Sequence, residues 1–182
     1  MIFAHDTEVA LLAAAALVNT ADVDAEGLPD INALEDFVRE WGWSGHRQRD
    51  EDELRAVRDL RPRLRRLWEA DRDDLVVLVN AILNEADATP QLVRHDGWDY
   101  HVHATSPRAP LATRMAVEAA MAFTDVIRAN ELSRLRVCDY PGCGGVLADL
   151  SKNRSKRYCD RGCGNRAAVA AYRSRKAGMR AS

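Results

Sequence analysis

The fold class this sequence predicts is mainly α, an α-helical domain with one small β-hairpin, followed by a short cysteine-bearing module. Three observations carry it. Most of the first 135 residues hold apolar positions at helical spacing. The stretch from Gln91 to His103 instead alternates apolar and polar residues across an Asp96-Gly97 pair. All four cysteines then fall between positions 138 and 163.

The first helix is expected over Thr7–Thr20, with Val9, Leu12, Ala13, Ala16 and Leu17 on one stripe. The acidic segment Asp22–Asp30, with Gly27 and Pro29, reads as a loop. Asn32 is the expected cap of a second helix carrying Leu34, Phe37, Val38 and Trp41, stopped by Gly42. A third helix starts near Asp50 or Asp52 and carries Leu54, Val57, Leu60, Leu64, Leu67 and Trp68. Pro62 inside it is expected to kink or divide it, because proline lacks the N–H and clashes with the preceding turn. Asp73 and Asp74 open a fourth helix with Leu75, Leu78, Val79, Ile82 and Leu83 inward. In the hairpin, a two-residue type I′ turn sets Val93 opposite Tyr100 and Arg94 opposite Asp99. After the Pro107–Pro110 break, a fifth helix is expected from Leu111 to Leu135, leading into Cys138 as a rigid joint.

Composition sets bounds on class. Charged residues make up 30% of the 182 positions, and the longest apolar run, Val9–Val18, is half of a membrane span. His5, Asp6 and Glu8 stand where a signal peptide would be positive. A cytoplasmic protein with no membrane partner is the expectation, and in a reducing compartment paired thiols serve as metal ligands or redox groups more often than as disulfides. The net charge of −2 conceals a division. Residues 134–182 hold 12 Lys/Arg against 3 Asp/Glu, or +9, whereas residues 1–133 hold 14 against 25, or −11. Two domains are expected on this boundary.

The cysteines are spaced Cys138-x4-Cys143-x15-Cys159-x3-Cys163. Two close pairs joined by a short spacer supply four thiolates to one tetrahedral Zn2+, a closed site with a structural role. Neither pair is the C-x2-C of thioredoxin-like redox motifs. Pro141 and the neighbouring glycines suit a tight first knuckle. Val146–Tyr158 is long enough for a hairpin with Lys152-Asn153-Arg154-Ser155 at its tip, and Cys163 opens a helix to about Lys176. Knuckle, hairpin and helix together describe a treble-clef-like four-cysteine zinc finger. Its basic residues Lys152, Arg154, Lys156, Arg157, Arg161, Arg166, Arg173, Arg175 and Lys176, continued by Arg180, are the candidate nucleic-acid contacts. Arg166 has an alternative role, holding the finger together, and Asn165 is read as a structural helix cap.

These residues resemble a known family. Cys163-Gly164-Asn165-Arg166 spells CGNR, and Cys143–Cys159, "CGGVLADLSKNRSKRYC", is similar to the stretch preceding it in CGNR zinc fingers. Leu17–Asp22 ("LVNTAD") and Leu54–Leu67 ("LRAVRDLRPRLRRL") are similar to the ABATE domain that precedes such fingers. Val146-Leu147 and Tyr158 stand where members of the family often carry Phe-like residues and Trp, which keeps the small core apolar. The resemblance implies a stress-induced transcription regulator that binds DNA through the finger.

Three histidines, His95, His101 and His103, fall on the hairpin. With no Asp, Glu or Cys partner at convincing spacing, they read as a solvated sheet face. Trp41, Trp68, Trp98 and Tyr100 read as core, with the lining of a small-molecule effector pocket as the alternative. No P-loop, G-x-S-x-G, H-E-x-x-H or G-x-G-x-x-G is present, so no catalytic residue and no enzyme activity is expected. The reading is a regulator with an N-terminal sensory or dimerising domain and a DNA-binding finger. The alternative is a zinc-stabilised protein–protein adaptor without DNA binding.

Overall fold

A computed structural model describes residues 3–21, 25–95, 97 and 99–178, the side chains of 177 and 178 excepted. Five helices run through the N-terminal part: α1 His5–Asn19, α2 Ile31–Glu40, α3 Glu51–Glu69, α4 Arg72–Glu85 and α5 Leu111–Arg128. Between α4 and α5, β1 Gln91–Val93 pairs antiparallel with β2 His101–His103. A 3₁₀ turn over Leu132–Arg134 leads into a second antiparallel pair, β3 Leu135–Val137 and β4 Val146–Ala148, and α6 Cys163–Gly178 closes the described chain. The fold class is thus mainly helical with small β-hairpins. No helix among the described residues is long and apolar enough to cross a membrane.

The core forms around α5, whose Met115, Ala119, Ala120, Phe123 and Val126 are almost wholly buried against α1, α3 and α4. Trp68 of α3 meets Phe123 edge to face at 4.8 Å between ring centres, a geometry favoured by the ring quadrupoles. Ala13, Ala14 and Ala15 of α1 are all buried, so this helix is enclosed on more than one face.

Several local expectations are settled by hydrogen bonds within one turn of the chain. The cap of α2 is Asp30, not Asn32, and accepts from the Ala33 N–H at 2.9 Å; Asp73 and Asp74 open α4 as expected, their N–H groups donating to its cap Asp71. Asp50 caps α3 as expected. Pro62 does not divide α3. The Arg58 carbonyl, which loses its helical donor to the proline, accepts instead from Arg61 Nε at 3.2 Å. The helix α5 ends at Arg128, not Leu135. Asn130 takes a left-handed conformation (φ 55°), and Glu131 and Asn130 donate backwards to Val126 and Ile127, closing a Schellman-type stop. The freed residues become β3.

The first hairpin is one residue out of the expected register, with Val93 opposite His101 instead of Tyr100. Residues 94–100 form a longer connection than a two-residue turn. Asp96 and Trp98 lie outside the described residues. Tyr100 is 68% exposed and so no part of the core, its ring facing the Arg94 guanidinium 5.9 Å away.

The second hairpin is sunk into the helical core. Val146, Leu147 and Ala148 are 0–2% exposed. The Asn19 side chain, at the end of α1, holds both backbone groups of Val146, accepting from its N–H and donating to its carbonyl at 2.8 Å each. The Trp68 indole donates to the Leu147 carbonyl at 3.0 Å and Arg65 to that of Gly144 at 2.8 Å. The joint between the helices and the cysteine module is therefore this buried strand, not a continued helix.

Candidate functional site

The cysteine module begins as a knuckle in the β3–β4 turn. Cys138 follows β3, and its N–H donates to the Gly145 carbonyl at 2.7 Å. Gly142 (φ +75°) allows the chain to reverse so that Cys143 points back toward Cys138. Gly145 has a different reason to be glycine. A Cβ there would lie 3.0 Å from Cys159 Sγ, 3.3 Å from Cys143 Sγ and 3.2 Å from Asn19 Oδ1.

The sulfurs of Cys143, Cys159 and Cys163 stand 3.3–3.6 Å apart, and all four ligand atoms lie within 4.8 Å of one another. An ion holding tetrahedral thiolates at about 2.3 Å sets its sulfurs roughly 3.8 Å apart, so this donor set fits one Zn2+. Cys138, Cys159 and Cys163 are buried, with Leu147, Tyr140 and Tyr158 packed around them. Four protein ligands leave no place for water, and the zinc is structural. Cys163 is the first residue of α6, where the helix end favours a thiolate. Burial alone would raise its pKa. The neighbouring Cys143 and Cys159 thiols and the Arg166 guanidinium hold it down to about 7.

Arg166 donates to Cys163 Sγ at 2.9 Å, with its guanidinium 5.0 Å from the centre of the Tyr140 ring. It thereby offsets the double negative charge of a zinc tetrathiolate. Asn165 is the third residue of α6, exposed and inside the helix instead of at its cap.

The expected hairpin with Lys152–Ser155 at its tip does not form, since β4 pairs with β3 and ends at Ala148. The segment instead wraps around Asp149, which is fully buried and accepts from the Ser151 N–H and hydroxyl and from the Lys156 N–H at 2.5–2.9 Å. Burial would raise its pKa, yet these bonds keep it lowered. Arg134, also buried, donates to the carbonyls of Asp149 and Ser151. Sequence reasoning passed over both, though an Asp followed by Ser two residues later is a turn signal.

Several basic residues are engaged. Arg154 pairs with Glu131 at 2.9 Å, Lys156 with Asp160 at 2.9 Å and Arg157 with Asp139 at 2.8 Å. Arg161 is half-buried beside Cys159. Lys152, Arg173, Arg175 and Lys176 are exposed and make no ion pair among the described residues. Arg180 lies outside them. On α6, Val169 and Tyr172 are exposed beside Arg173 and Lys176.

A second candidate site lies in the helical part. A cavity of about 710 Å³ is lined by Trp41, Trp43, Arg114, Glu118 and the three histidines, among others. The histidines are brought together and not left on a solvated face. Glu118 of α5 supplies the carboxylate that the hairpin sequence lacks, at 3.1 Å from His103 Nδ1, and raises the His103 pKa. Its separation in sequence is why local spacing did not find it.

Residues 134–176 match the CGNR zinc finger family model. Residues 12–130 match the ABATE family model, described as "Putative stress-induced transcription regulator". Neither is a family of enzymes, and the chain is a regulator instead of a catalyst. No curated protein matches the chain. With both models matched in this order, and the larger covering residues 12–130 of 182, the chain belongs to the ABATE family and carries a CGNR zinc finger behind its helical domain.

Proposed function

We propose that this chain is a cytoplasmic, DNA-binding transcription regulator of two domains, 1–133 and 134–182, in which the zinc finger grips the duplex and the helical domain senses a small-molecule effector. The carrying observation is the set of exposed cations without ion pairs among the described residues, Lys152 and, on α6, Arg173, Arg175 and Lys176, on a module of net charge +9. Arg154, Lys156, Arg157 and Arg161 add to the charge of the same module, and the phosphate backbone is the complementary partner. Residues 165–176 of α6 are exposed but for Ala167, a helix free to enter a major groove with Tyr172 and Val169 beside its charges. Arg166 acts as a positioning residue: it holds Cys163 and sets the direction in which α6 leaves the zinc. The effector's place is the 710 Å³ cavity. One finger reads few base pairs, so a homodimer formed through the helical domain supplies the second half-site.

Fluorescence anisotropy of zinc-loaded protein on duplex DNA, between about 50 and 200 mM salt, tests this. Four phosphate contacts give a log–log slope of about −3.6, and the Arg173→Ala/Lys176→Ala variant reduces its magnitude by about 1.8. An affinity insensitive to salt, or no DNA affinity together with concentration-dependent association of the protein, rejects the reading in favour of the adaptor.

A further inference from the structure

The imidazoles of His95, His101 and His103 converge on one point. The Nε2 atom of His103 lies 3.0 Å from that of His95 and 3.0 Å from that of His101. Two of the three rings have their tautomer set from behind. The Asp99 carbonyl lies 2.8 Å from His101 Nδ1, and a carbonyl only accepts, so Nδ1 carries the hydrogen there. Glu118 Oε1 does the same for His103 Nδ1 at 3.1 Å. Both Nε2 atoms are then lone-pair donors facing each other at hydrogen-bond distance. One extra proton on His103 Nε2 satisfies one neighbour and leaves the other facing an N–H or a lone pair. A cation at the centre satisfies all three at once.

We propose that His95, His101 and His103 bind a divalent transition-metal ion, with Glu118 as the positioning carboxylate behind His103. A carboxylate on the far nitrogen of a ligating histidine is the usual support of such a site, because it fixes the ring and raises its basicity. Neutral imidazoles select the nickel, cobalt, iron and zinc class over calcium or magnesium. Nitrogens 3.0 Å apart around an ion at about 2.1 Å subtend about 90°. Both of these angles at the ion are octahedral and narrower than a tetrahedral site requires, which favours nickel, cobalt or ferrous ions. The remaining positions open to the cavity that the same histidines line. Asp6, Glu118 and Asp125 outnumber Arg114 and Arg128 on the cavity wall, which leaves a negative balance that suits a bound cation. Trp43, also on the wall, has a buried indole N–H with no hydrogen-bond partner among the described residues, a donor for whatever small molecule completes the coordination. This site is distinct from the four-cysteine zinc and does not depend on DNA binding.

The test uses the intact, zinc-loaded chain without a histidine tag. After incubation with excess Ni2+ and desalting, native mass spectrometry is expected to find one zinc and one nickel per chain. His95 is exposed and outside the apolar core, so His95→Ala leaves the fold intact. It and His103→Ala are expected to lose the nickel and keep the zinc. Glu118→Gln is expected to keep the zinc and weaken nickel by roughly 10–100-fold in calorimetric titration. A wild-type chain that retains a single metal, or nickel stoichiometry unchanged in His95→Ala and His103→Ala, overturns the proposal.

Discussion

Replacing Asn19 by alanine tests how the finger is tied to the helices. The Asn19 amide accepts from the Val146 N–H and donates to the Val146 carbonyl, both at 2.8 Å, where the Val146 side chain and its neighbours are shut off from water. Truncation leaves two backbone groups without partners. Each such group costs about 1–3 kcal/mol when buried, and partial hydration through the space left behind brings the sum to about 3 kcal/mol. For a chain of this size that lowers the melting temperature by about 6–12 °C. The effect is also directional. Val146 follows Gly145, which lies so close to the cysteines that an added Cβ would stand 3.0 Å from Cys159 Sγ and 3.3 Å from Cys143 Sγ, so loosening this strand loosens the knuckle. Calorimetry of the zinc-loaded protein, with zinc release to a chromogenic chelator followed in parallel, is expected to show both a lower melting temperature and faster release. A shift below about 2 °C with wild-type zinc retention would refute the reasoning.

Further predictions follow from the same structure. Gly145→Ala sets a methyl within 3.0–3.3 Å of Cys159 Sγ and Cys143 Sγ, so purified protein is expected to carry substoichiometric zinc by elemental analysis; full occupancy would show that the knuckle yields. Arg166→Ala removes the guanidinium from Cys163 Sγ and is expected to weaken zinc by roughly tenfold or more in chelator competition, with Arg166→Lys falling between. Glu26 is held at a pKa of about 2 against an ordinary 4.5, chiefly by the Arg61 guanidinium at 2.5–2.8 Å. A lowered carboxylate pKa stabilises the fold fully above its unfolded value and is lost on acidification. The stability difference between wild type and Glu26→Gln in urea unfolding should therefore be constant at neutral pH and shrink from about 4.5 toward 2. A difference that does not change with pH contradicts the pairing.

Much of this was legible in the sequence, because helices and metal knuckles are local. Leu54, Val57, Leu60, Leu64 and Leu67 mark α3 by spacing alone, and the four cysteines announce their common ion. The errors have two causes: a partner distant in sequence, or a local hydrogen bond that spacing does not reveal. Leu135–Val137 continues the apolar pattern of α5, yet it becomes a strand because Val146–Ala148 offers it a ladder and Asn130 turns the chain beforehand. Pro62 is tolerated because Arg61 serves the carbonyl the proline abandons. The histidine cluster gains its carboxylate from α5, more than a dozen residues away. Arg166 reads first as a base or phosphate contact and only second as a brace, and the sulfur that favours the brace lies beside it in the fold.

In the proposed function the zinc holds exposed cations in place for DNA. Mapping the genomic sites occupied by the intact protein in its own cells tests it most directly. Discrete occupied sites are expected that vanish in Arg173→Ala/Lys176→Ala and in Cys159→Ser, with the first variant retaining its zinc. Occupancy no greater than background for the wild-type protein, or sites undiminished when both cations are removed, would contradict it.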